Sequence, residues 1–131
     1  MSIVVKFPGG VKVDADIAPF VISSDQPVKS GGEGSAPAPF TLFLASLATC
    51  AGYYVKAFCD SRKIDTDKIS MTMDTVYDPA KKMIGKFIMK IIVPMDFPEK
   101  YDNALINAAN VCAVKRHLSE SIEYEITVNR N

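Results

Sequence analysis

The chain has 131 residues, 48% of them hydrophobic and 23% charged, and its 15 basic and 15 acidic side chains leave no net charge. That length suits a single domain, 1–131, with a core that needs no covalent staples. Electroneutrality argues against nucleic acid as a partner, which requires a basic face to neutralise phosphates. Three cysteines with no CxxC pair make neither a secreted disulfide framework nor a zinc site.

The N-terminal stretch Met1–Lys6 lacks the basic start, long apolar core and small-residue cleavage site of a signal peptide, so a reducing, cytoplasmic location is expected. Ile3–Lys6, Val11–Asp14 and Phe20–Ser23 are short strand candidates, with Pro8–Gly10 as a turn between the first two. Ser30–Ser35 is glycine-rich and predicts a flexible loop; without a following Lys-Ser/Thr it does not make a phosphate loop. Pro39 suits the first turn of a helix, where its missing N–H costs nothing, and the helix should run to about Lys63. Phe40–Val55 within it is almost uncharged but falls short of the roughly 20 residues that a bilayer requires. An all-round apolar helix of that length predicts a central helix wrapped by other elements. Gly52 inside it predicts the close approach of another backbone.

Further on, Ile69–Tyr77 alternates apolar and polar residues, Asp78–Lys82 is a turn, and Ile84–Val93 returns as the partner strand. Pro98 should open a second helix that runs through about Lys115. The closing segment Ile122–Val128 alternates cleanly and predicts a last strand, with Ile122, Tyr124, Ile126 and Val128 inward. The order strands, helix, hairpin, helix, strand defines an α+β fold, mostly antiparallel sheet around a long central helix.

The cysteines carry the functional signal. Cys50 lies in the apolar run Pro39–Cys50 and Cys112 in Ala108–Val114, so both thiols should face the interior. Cys59 is nine residues after Cys50, hence on the opposite side of the same helix and about 13 Å along it, beyond disulfide reach. Tyr101, Leu105, Ala108 and Cys112 share one helical stripe, which makes Cys50 and Cys112 the natural couple and leaves Cys59 as a packed thiol. A reactive Cys50 needs its thiolate stabilised, yet its helical neighbours Ser46, Tyr53 and Tyr54 carry no positive charge. The stabilising group must come from another segment or subunit. His117, in the basic cluster Lys115–His117, is expected to complement the end of the second helix.

The proline-rich Ala36–Pro39 leading into a helix that reads Leu44–Ala–Ser–Leu–Ala–Thr–Cys50, with Cys112–Ala–Val and a closing strand, resembles the OsmC/Ohr family of thiol-dependent hydroperoxide reductases along essentially the whole chain. The resemblance implies an intertwined homodimer with a long central helix. It also implies that Cys50 attacks a small-molecule organic hydroperoxide and that Cys112 resolves the resulting sulfenic acid as a disulfide. A small dithiol or a lipoylated protein would restore the thiols, and no metal, flavin or haem would be needed. The chain departs from the peroxidatic members of the family at their activating pair. Their glutamate position falls at Phe40–Thr41, and the first arginine here is Arg62. Lys12, Lys29 and Glu33 are the available substitutes, and lysine lacks the planar grip of arginine. The alternatives are a non-catalytic OsmC-like dimer that binds an apolar small molecule, and a slow redox sensor.

Overall fold

Residues 1–130 are described by the computed structural model. The chain divides into two compact units, the first Met1–Ala45 and the second from Ser46 onward. In the first, β1 (Val4–Gly9), β2 (Lys12–Ile17) and β3 (Phe20–Ser24) form an antiparallel sheet in the order β1-β2-β3. Ala15 pairs with Val5 on one side and Ile22 on the other. Gly9 and Gly10 make the first turn at φ 135° and 57°, backbone angles that a side chain resists. Lys6 reaches across β1 and β2 to Asp16 at 2.8 Å, an exposed pair of small energetic weight.

The glycine-rich segment is not a flexible loop. It wraps around the buried carboxylate of Asp25, which accepts Gln26 N–H at 2.7 Å through Oδ1. Through Oδ2 it accepts Glu33 N–H at 3.2 Å, Ser35 N–H at 3.0 Å and the Ser35 hydroxyl at 2.7 Å. These donors hold the carboxyl well below its ordinary titration range, the Ser35 hydroxyl most strongly, followed by the Ser35 and Gln26 amides. A methyl group at Gly32 would collide with the Gln26 carbonyl oxygen, so the chain crosses itself there without a side chain.

Helix α1 spans Pro39–Ser61, with Pro39 at its first turn as expected. Its 23 residues are enough, by length and composition alone, to cross a membrane. In the second unit, however, Leu47, Ala51, Val55 and Cys59 form a buried stripe at spacing four. Val55 and Cys59 pack there with Phe97 and Leu105 in the core. Gly52 receives no neighbouring backbone: a side chain there would meet only Met71 Sδ, at 3.9 Å. The helix ends in a Schellman motif, with Ile64 N–H on Cys59 O at 2.9 Å and Lys63 N–H on Asp60 O at 3.1 Å. Lys63 takes the left-handed conformation that closes it, at φ 56°, and Ile64 packs on the core.

Strands β4 (Ser70–Asp78) and β5 (Met83–Ile92) form the expected antiparallel hairpin, with Met73 opposite Met89. Asp78 Oδ1 accepts the Ala80 and Lys81 amides and tightens the turn. The chain then differs from expectation twice. The second helix is not continuous: a 3₁₀ turn at Glu99–Tyr101 leads into α2 (Asp102–Asn110), and α3 (Ala113–Leu118) follows after a break. The closing strand is absent as well. Residues 121–130 carry no regular structure, and Tyr124 and Ile126 are 84% and 89% exposed. Alternation makes a segment fit to be a strand, but a strand exists only with a ladder partner, and none pairs with this one within the described chain.

Candidate functional site

The break between α2 and α3 sets the surroundings of Cys50 and Cys112. Val111 sits at φ −75°, ψ 1°, and Cys112 then turns extended at φ −49°, ψ 121°, which makes it the N-cap of α3. Its Sγ accepts the Lys115 N–H at 3.4 Å, in the place usually taken by a serine or aspartate oxygen. Its Sγ lies 4.0 Å from the Leu47 carbonyl oxygen, on the turn of α1 that also carries Cys50. Cys112 is fully buried and Cys50 half-buried, and both are free thiols.

Cys50 does not rely on α1 for activation. The N–H of Val114 hydrogen-bonds its sulfur, the Cys112 thiol adds a second bond and the Ala113 N–H a third; together they outweigh burial and lower the Cys50 pKa from its ordinary value. Cys112 is pushed the other way, first by burial and further by the neighbouring Cys50, although the Lys115 amide opposes this. The two neighbouring thiols thus have opposite tendencies, Cys50 toward the thiolate and Cys112 toward the protonated form. Such a pair is equipped for nucleophilic attack followed by disulfide closure. Cys59 takes no part. It is buried in the core, and burial raises its pKa.

A cavity of about 690 Å³ opens beside Cys112, walled by Leu47, Phe87, Met89, Ile91 and Ile106, with Leu118 of α3 at its edge. Lys115, Asn110 and Ser119 supply its polar lining, and the first two hydrogen-bond each other. His117 places Nδ1 2.6 Å from Ala113 O in the last turn of α3, so it serves the backbone of that helix. Lys12 and Glu33, the substitutes considered for the missing activating pair, form an ion pair with each other at 2.7 Å. Among the described residues, no group of three or more His, Cys, Asp or Glu side chains converges on a metal-sized site. Two elements escaped the sequence: the amide donors of α3, which no side chain announces, and Asp25. An aspartate just ahead of a segment with glycines at 31, 32 and 34 is the signal that could have revealed the second.

The family model described as "OsmC-like protein" matches residues 32–127, and the chain belongs to that family. A search of curated proteins gives no match. Solved structures with the same fold include an osmotic stress induced and detoxification response protein from Psychrobacter arcticus, at 21% identity and TM-score 0.72 over 89% of this chain and 87% of that one. An OsmC-like protein from Mycoplasma pneumoniae matches at 15% identity and TM-score 0.69, covering 90% and 86%. The organic hydroperoxide resistance protein OhrB of Bacillus subtilis matches at 20% identity and TM-score 0.52, covering 89% and 90%. At these identities the likeness is one of fold.

Proposed function

We propose that this protein reduces organic hydroperoxides through Cys50 and Cys112, as part of an oxidative-stress response in the reducing cytoplasm. The observation that carries the reading is the set of N–H and S–H donors that converge on Cys50 and favour its thiolate. The Cys50 thiolate attacks the terminal peroxide oxygen, the O–O bond breaks, Cys50 becomes a sulfenic acid, and the departing alkoxide takes a proton from water to leave as the alcohol. The Cys112 sulfur then displaces the hydroxyl, forming the disulfide and releasing water. A small dithiol or a lipoylated protein returns both thiols. The backbone amides of α3 take the part that arginine plays in the peroxidatic relatives. Membership of a family with solved relatives named organic hydroperoxide resistance proteins supports the reading. Mass spectrometry after one equivalent of cumene hydroperoxide tests it: the expected product is an intramolecular Cys50–Cys112 disulfide, and an unchanged mass refutes it.

The working unit is a homodimer. Exposed apolar side chains on β1 and β3, Val5, Phe7, Phe20 and Val21 among them, support this, as does the strand-patterned segment Ile122–Val128 without a ladder partner among the described residues. Light scattering should return twice 14.3 kDa; a monomer mass at micromolar concentration contradicts it. A second reading, a non-catalytic dimer that holds an apolar small molecule, is favoured by the cavity beside Cys112. Native mass spectrometry showing a retained ligand, together with absent peroxide turnover, would select it.

A further inference from the structure

The first turn of α3 is capped by sulfur. Any helix leaves its first N–H groups without partners inside the helix. Here Lys115 N–H is satisfied by Cys112 Sγ at 3.4 Å, and those of Ala113 and Val114 turn to Cys50. Cys112 Sγ also lies against α1, 4.0 Å from Leu47 O. With only six residues, α3 is too short to hold itself together without such contacts. We infer that α3 is a redox-released latch: joining Cys112 to Cys50 as a disulfide withdraws the sulfur cap from its first turn and lets the helix open.

The inference rests on the Cys50–Cys112 couple proposed above. The chemistry is balanced by the hydroperoxide of that reaction: the Cys50 sulfenic acid and the Cys112 thiol give one S–S bond and one water, and the thiol hydrogen leaves in the water. Afterwards Cys112 has no S–H left to donate. At Cys50, a neutral disulfide sulfur is also a weaker acceptor for the Ala113 and Val114 amides than the thiolate it replaces. Leu118, Lys115 and Ser119 border the cavity at Cys112, so opening α3 removes one of its walls. Cys112 is 1% exposed in the closed, reduced form. The latch therefore shields the resolving sulfur while reduced and opens it to an incoming thiolate once oxidised. Re-reduction restores the cap and closes the helix.

Hydrogen exchange read by mass spectrometry on the full chain tests the latch, comparing the reduced protein with protein oxidised by diamide. The oxidant forms disulfides without any peroxidase activity. Loss of a helix cap predicts exchange about fivefold faster over residues 113–118, with α2 unchanged as an internal control. A disulfide formed without that acceleration overturns the latch and leaves the peroxidase reading standing. Failure to form the disulfide overturns both. Cys112→Ser keeps a capping oxygen and cannot be oxidised, so its α3 should stay protected after diamide. Cys112→Ala should exchange fast in α3 without any oxidant; protection equal to wild type would show that sulfur does not hold the helix, and would also overturn the inference.

Discussion

Ala113→Pro isolates one of the donors that activate Cys50. Position 113 is the first residue of α3, where proline is tolerated best. The residue before it, Cys112, already has the extended φ −49°, ψ 121° that a following proline requires. The substitution therefore removes a single N–H with little other disturbance. A hydrogen bond to a charged acceptor is worth about 1.5–3 kcal/mol when well shielded. Cys50 is half-buried and Val114 contributes the larger share, so about 1 kcal/mol is the appropriate scale for Ala113. At a tenfold change per ~1.4 kcal/mol, the thiolate fraction at neutral pH should fall roughly fivefold. The assay is the rate of Cys50 alkylation by iodoacetamide across pH, located by peptide mass spectrometry. Wild-type Cys50 should titrate below a free cysteine, and the variant should alkylate about fivefold more slowly at neutral pH but converge with wild type in alkali. Equal rates at every pH would refute amide activation; a deficit that persists in alkali would mean that the substitution altered access instead.

Other perturbations follow from the fold. Lys63→Gly should stabilise the protein by about 1 kcal/mol, read from the urea midpoint, because glycine adopts the left-handed angle at the end of α1 without steric cost. Gly32→Ala should destabilise by roughly 1–3 kcal/mol through its collision with the Gln26 carbonyl; a neutral result would contradict the chain crossing. Asp25→Asn should lower the melting temperature at pH 7, since an amide cannot accept all the donors that converge on the carboxylate. The folded pKa of Asp25 lies below its unfolded value of about 3.9, so its contribution is complete above that pH and is lost as pH falls through the folded value. The gap between variant and wild type should accordingly shrink in strong acid; a gap that widens there would refute the assignment.

Much of this was legible in the chain because it is local. Alternation placed the β4–β5 hairpin, Pro39 placed the start of α1, and helical spacing separated Cys59 from the Cys50–Cys112 couple. What stayed hidden depends on partners. The segment Ile122–Val128 has a strand's pattern and no ladder among the described residues, because pairing is a property of two segments and pattern belongs to one. The break at Val111–Cys112 is silent since Ala108–Val114 contains no glycine or proline, and cysteine is not among the residues that ordinarily mark a helix cap. The sequence points to charged side chains for the activation of Cys50, whereas its donors are the Cys112 thiol and main-chain amides that become available only when the second helix breaks. Asp25 likewise gains its meaning only once the loop at 33–35 folds back onto it.

The most direct test of the central claim is steady-state consumption of cumene hydroperoxide with a dithiol reductant, wild type against Cys50→Ser. Rapid turnover that vanishes in the variant is the predicted result. Slow loss of peroxide at the same rate in both proteins would contradict a catalytic role for Cys50.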